Sequence, residues 1–391
     1  MGISDLIKNG VFEYTNKLNA FEAGKGSIKD NMDDLCEILE CEIIKSKSSD
    51  EEKQKLLKRL REFCNTETNI MLVGATGCGK SSTINALFSA KNNNDAVSNK
   101  KAESEDTDDE SAENEEQPSN IGTKYVEVAK VGSKSDPETK DIEKYKIGNL
   151  VLWDTPGLGD GTEIDEHHKS VITDLLEEQD ENGNKLIDMV LLILDGSTRD
   201  LGTSYKLVNE VILPELKDES NRLIVALNQA DIAMKTGRHW DYEKNEPDET
   251  LIAFLEDKVD SIKKRFKEDS NIDIDPIYYC AGYQEESGET VYPYNLSKLL
   301  YYILNSLPAE KRVSVMEGVK MDSDNYKHND SDDDYNEKIK DNFYDSLDYI
   351  SDGVDKGADI GVLVLGLPGA IVGAFLGGFV GCVREIVDEV F

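Results

Sequence analysis

Two glycines, a lysine and a serine stand at a spacing that suits one kind of chemistry: Gly74, Ala75, Thr76, Gly77, Cys78, Gly79, Lys80 and Ser81 read G-x-x-x-x-G-K-S. The glycines let the chain turn tightly and aim backbone N–H groups at phosphate oxygens. A helix opening at Ser81 and Ser82 would add the positive end of its dipole. Lys80 can reach β- and γ-phosphates as a point charge, and the Ser81 hydroxyl is the expected direct Mg²⁺ ligand. A glycine-rich turn with no ligand has no use for a Lys-Ser pair at this spacing.

Two further groups follow in order. Asp154-Thr155-Pro156-Gly157 offers a carboxylate that meets Mg²⁺ through water and a Gly157 amide placed to sense a γ-phosphate. Alone, D-x-x-G is common; here it follows an apolar run, 150–153. Asn228-Gln229-Ala230-Asp231 follows another, 223–227. The Asp231 carboxylate can accept from guanine N1–H and from its 2-amino group. Adenine lacks that donor pair, so GTP should win over ATP, because the wrong base leaves a buried carboxylate unpaired. Gln229 stands where lysine is usual. It can cover part of the nucleotide without charge, so selectivity should survive with weaker affinity. Cys280 and Ala281 sit where a backbone N–H would meet guanine O6, although Cys280 reads equally well as a small buried residue.

The elements that must position these groups are legible. Strands are expected near 70–73, 142–147, 149–153, 189–194, 223–227 and 276–280. Helices are expected near 81–89, 164–178, 203–216, 249–267 and 296–307. That alternation implies an α/β fold, a mainly parallel six-stranded sheet with helices on both faces. Nucleotide sites in such sheets lie at the strand C-termini, where each motif falls.

The stretches 74–88, 136–139 (Asp-Pro-Glu-Thr), 152–161, 228–231 and 237–241 (Gly-Arg-His-Trp-Asp) resemble the bacterial YfjP/YeeP-type GTPases of the Era-like, septin-related group. The resemblance covers roughly 66–310. It implies the P-loop GTPase fold, GTP/GDP and Mg²⁺ as ligands, and hydrolysis of GTP. It also implies Thr139 as the switch threonine on Mg²⁺ and the γ-phosphate, with Lys80 and Gly157 as its catalytic companions; a turn residue ahead of a strand is the plainer reading of Thr139.

Hydrolysis needs positioning and charge more than covalent chemistry. Leu158 stands where Ras-like enzymes place a water-orienting glutamine. Gly77 stands where some relatives place a potassium-binding asparagine, so neither route is supported. Arg199 is either an arginine finger, in cis or across a dimer, or half of a solvated Arg–Asp pair. His167 and His168 either polarise water or belong to a polar helix face. His239 and Trp240 either pack a loop or touch nucleotide or partner. Turnover is therefore expected to be slow alone and faster on homodimerisation through this domain or with a partner.

The chain has 391 residues and a formal net charge of −36. That charge disfavours nucleic-acid binding, which runs on phosphate neutralisation, and simple docking on anionic lipid. Six cysteines form no C-x-x-C pair or metal-ligand spacing, which fits reduced thiols in a cytoplasmic protein, and 1–20 lacks the apolar core of a secretory signal.

Around 66–310, helical spacing fills 1–65, and 311–350 reads as an acidic linker and helix. Residues 91–120 set ten acidic residues against three lysines and are expected to form a disordered insertion. The glycine-rich tail, 351–391, contains 24 residues without a charge, 360–383. As a helix of about 36 Å that run could cross a membrane, with glycines every four residues allowing close helix approach. Pro368 would kink it, and burial as a hairpin against the N-terminal helices is the alternative. Two rival functions remain open: a GTP-gated membrane effector or scaffold using the tail, and a binding-only relative that has lost turnover.

Overall fold

The computed structural model describes residues 36–37, 39–41, 43–45, 48–88, 129, 142–157, 162–198, 201–216, 219–234, 239–284, 290–319 and 323–351. Thr139, Leu158, Arg199, the 91–120 stretch and the 360–383 run lie outside them.

The apolar runs form the strands they predict. These are β1 (Thr68–Gly74), β2 (Glu143–Ile147), β3 (Leu150–Asp154), β4 (Met189–Asp195), β5 (Leu223–Asn228) and, after two minor ones, β8 (Ile277–Tyr278). The sheet order is β2-β3-β1-β4-β5-β8. All neighbours are parallel except β2 and β3. Register puts Leu72 beside Asp154 and Asp195 beside Asn228, so the motif residues share one edge.

Every residue of β1 is buried, as a parallel strand covered on both faces requires. Alternate side chains then build two cores. Ile70, Leu72, Leu152 and Ile193 face α2 (Lys80–Leu87) and α6 (Leu296–Ser306). Met71, Val73, Leu192 and Val225 face α3 (Thr162–Glu177), α4 and α5 (Glu249–Ser270). α4 starts at Gly202–Leu207, passes through a π turn at Val208–Ile212 and ends at Leu213–Leu216. The minor strands form two hairpins, β6 (Trp240–Asp241) with β7 (Glu246–Pro247), and β9 (Tyr283–Gln284) with β10 (Thr290–Val291).

A helical layer brings together elements from before β1 and after α6. α1 (Asp50–Asn65) starts at a capping box, with Ser49 accepting from the Glu52 amide and Glu52 accepting from the Ser49 amide. It packs with α7 (Ala309–Gly318) and α9 (Tyr335–Ser351), with the single turn α8 (Ser323–Tyr326) between those two. The stretch read as an acidic linker is more than that. Asp330, its side chain 10% exposed, pairs with Lys298 of α6 at 2.7 Å.

The thiols also depart from expectation. Cys36 and Cys64 form a disulfide across 28 residues of sequence, their Cα atoms 6.4 Å apart. No short motif announces it, because helical packing brings the two together. Cys78 and Cys280 are buried thiols outside any disulfide. Among the described residues no helix is long and apolar enough to cross a membrane.

Candidate functional site: a phosphate loop between two buried carboxylates

The loop from Gly74 to Ser81 connects β1 to α2. Gly79 adopts φ +92°, and a Cβ there would run into the Asn228 side-chain amide, so both conformation and space demand glycine. Ser82 follows on the first turn of α2. Lys80 is buried, its ammonium 3.5 Å from the carbonyls of Gly74 and Ala75. Cys78 is fully buried. Burial raises its thiol pKa against the pull of Lys80, which makes it an inert packing residue.

Beside the loop, the Ser81 hydroxyl donates to Asp154 Oδ2 at 2.7 Å. Asp154 Oδ1 is buried without a hydrogen-bond partner. Burial raises the carboxyl pKa most, while Lys80 and Ser81 pull it down. An orphaned carboxylate oxygen next to a serine hydroxyl offers the oxygen donors a hard divalent cation takes, while the lysine beside them suits a phosphate, so these residues fit Mg²⁺. Thr155 then fastens the strand end, donating from backbone N and Oγ1 to Leu72 O at 3.3 and 2.8 Å.

Gly157 comes to the same place. A Cβ on it would lie 2.5 Å from Thr76 Cα and 2.6 Å from Thr76 N. Its carbonyl accepts from His168 Nδ1 at 2.9 Å. The sequence reading set His168 on a polar helix face or beside water; the structure buries it. The signal was there, since 168, 172, 175 and 176 fall on one helical stripe, whereas His167 is exposed.

The turn at 228–231 is tied to the loop by its side chains. Asn228 Nδ2 donates to Cys78 O at 3.0 Å and Gln229 Nε2 to Gly77 O at 2.8 Å. Asp231 is buried, and desolvation raises its pKa against the Cys280 thiol and the amides of Asp231 and Ile232. The Cys280 amide donates to Tyr294 O, and the Ala281 amide to Asn228 Oδ1, both at 3.0 Å. Below them the Tyr279 and Thr83 hydroxyls meet at 2.6 Å, joining the base loop to α2. Of the 237–241 stretch, the described residues make packing contacts: Trp240 stacks edge-on against Tyr294, and His239 bonds Asp248 at 2.8 Å.

Residues 69–229 match the family model described as 50S ribosome-binding GTPase. The fold is that of a P-loop GTPase. Solved structures with this GTPase fold include Era from Aquifex aeolicus bound to GDP·AlF4⁻, 19% identical over 62% of this chain and 57% of that one, TM-score 0.31. Toc33 from Arabidopsis thaliana with GDP and Mg²⁺ is 16% identical over 69% of this chain and 95% of that one, TM-score 0.35. The cytosolic domain of L. pneumophila FeoB is 15% identical over 79% and 96%, TM-score 0.27. The chain thus spans a little over half of the Era chain it matches. No curated protein matches it.

Proposed function

We propose that this protein binds GTP and GDP and hydrolyses GTP, acting as a nucleotide-dependent switch. The observation that carries the reading is the meeting of Ser81, Lys80 and Asp154 at the phosphate loop, with one Asp154 oxygen buried and unpaired. Loop amides from Gly74 to Ser82 would cradle the phosphates, and Lys80 would bridge the β- and γ-groups. Ser81 would hold Mg²⁺, with Asp154 behind it and Thr139 joining from the switch. Bound Mg²⁺ neutralises charge on the phosphate oxygens. Asp231 would read guanine, with Asn228, Gln229 and the Cys280–Ala281 turn shaping the slot. The Gly157 amide would sense the third phosphate.

Turnover by the isolated chain would be slow, because Leu158 cannot orient water. Self-association or a partner would supply what is missing. The test is multiple-turnover hydrolysis of GTP and ATP against protein concentration, with Lys80→Ala as control. GTP-selective turnover, lost in the variant and rising per molecule with concentration, is expected. Equal use of ATP, or full activity in Lys80→Ala, would sink the reading.

A further inference from the structure

The buried stripe of α3 carries a histidine among aliphatic residues, His168 beside Ile172 and Leu175. Only 6% of it is exposed, and its Nδ1 lies 2.9 Å from Gly157 O. A carbonyl oxygen can only accept, so Nδ1 must carry the proton. Placing an imidazole in an apolar layer is unfavourable unless such a bond is made. The other end of the bond matters more. Gly157 lies with its Cα against the Thr76 backbone, on the phosphate loop itself. A glycine backbone is free to swing, and its amide and carbonyl flank one Cα. Fixing the carbonyl therefore restricts where the amide can point.

We propose that His168 is a positioning residue: its Nδ1–H holds Gly157 against the phosphate loop, with the amide poised for a third phosphate, and couples that contact to α3. The proposal rests on the guanine-nucleotide reading above and adds a specific origin for discrimination between tri- and diphosphate. A diphosphate does not reach Gly157, so losing the bond should affect GTP and spare GDP.

The experiment uses the full chain with His168→Leu, which fills the pocket without a donor, and His168→Asn, whose Nδ2 can take the place of Nδ1. Affinities for GDP and the non-hydrolysable analogue GMPPNP are measured by calorimetry, together with kcat and thermal melts. In His168→Leu, GDP affinity should stay within about twofold of wild type. GMPPNP affinity and kcat should each fall about tenfold, the worth of one buried hydrogen bond. His168→Asn should recover most of both losses, and it keeps the test readable if the leucine variant melts early. An unchanged ratio of GMPPNP to GDP affinity in His168→Leu, or equal loss of both nucleotides, would overturn the proposal while leaving the nucleotide reading intact. Wild-type protein that binds neither nucleotide would overturn both.

Discussion

The side-chain amide of Gln229 donates to the carbonyl of Gly77 at 2.8 Å, which joins the base-reading turn to the phosphate loop. Asn228 makes the neighbouring bond, to Cys78 O. Two adjacent side chains thus hold two adjacent loop carbonyls. Gln229 does so from a left-handed backbone, φ 62°, a conformation that costs energy in a residue with a side chain. The turn and the loop are therefore held together by the protein's own side chains, and Gln229 makes its tie without adding a charge.

Gln229→Ala should accordingly weaken GDP and GTP alike by roughly tenfold, the scale of one hydrogen bond. The preference for guanine over adenine should persist, since Asp231 is untouched. Gln229→Lys should bind at least as tightly as wild type. Competition titrations with both bases decide it; a collapse of base preference in Gln229→Ala would show that Gln229 reads the base directly.

Burying the Asp231 carboxylate costs the fold stability. Burial raises its pKa above the value it has unfolded. The nucleotide-free fold therefore binds that proton more tightly than the unfolded chain does. The destabilisation is complete above the raised folded pKa, and is relieved as pH falls through it towards the unfolded value of about 3.9. Asp231→Asn should raise the apoprotein's stability at pH 7, and the gain should shrink as pH approaches 4. Guanine binding should fail in the same variant. Xanthine, which has an oxygen in place of the 2-amino group, should become the better ligand, because an amide offers one donor and one acceptor. Melting curves across pH with GDP and XDP would check both halves, and a variant less stable than wild type at pH 7 would contradict the first.

The strands and the loop were legible because each is a local pattern: an apolar run, then glycines, then a charged or amide group at fixed spacing. All six sheet strands lie within two residues of their expected limits, β8 as the two-residue core of the run 276–280. What escaped is long-range. Nothing near Cys36 points to Cys64, and nothing near Asp330 says that Lys298 waits across a gap of 32 residues. His168 was legible in principle, by helical period, but a histidine next to another histidine reads as polar when the stripe is not drawn. Gln229 looked like a loss of charge, and its tie to Gly77 became visible only once two loops 152 residues apart were side by side.

The Cys36–Cys64 bond lies at the opposite end of β1 from the phosphate loop. Cys64 ends α1, just before β1, and its carbonyl accepts from Asn149 Nδ2 at 3.0 Å, whereas the phosphate loop follows β1. Closing a loop of 28 residues is worth about 3.5 kcal/mol by chain entropy. Reduction, or Cys36→Ser, should lower the melting temperature and leave the dissociation constant for GDP unchanged. Differential scanning fluorimetry and a nucleotide titration, each with and without dithiothreitol, test this. A change in GDP affinity on reduction would mean that the helical layer and the pocket are coupled.

Lys298 and Asp330 should show the opposite of a surface ion pair. Their side chains are 13% and 10% exposed. Burial works against the Lys298 charge, yet the hydrogen bond and attraction from Asp330 win and raise its pKa. Asp330 also accepts from Asn295 Nδ2 at 2.9 Å and Tyr335 Oη at 2.8 Å, so α6 and the start of α9 meet on one carboxylate. Lys298→Met leaves that carboxylate buried and short of its cation, which should destabilise the fold by about 3–5 kcal/mol. Pairing it with Asp330→Asn removes the stranded charge and should recover part of the loss. Asp332 contacts the same lysine at 3.0 Å but is 68% exposed, and Asp332→Ala should cost less than about 1 kcal/mol. Urea unfolding of the four proteins orders them. If Asp332→Ala proved as damaging as Lys298→Met, the attachment of α9 would depend on the acidic stretch as a whole and not on its one buried carboxylate.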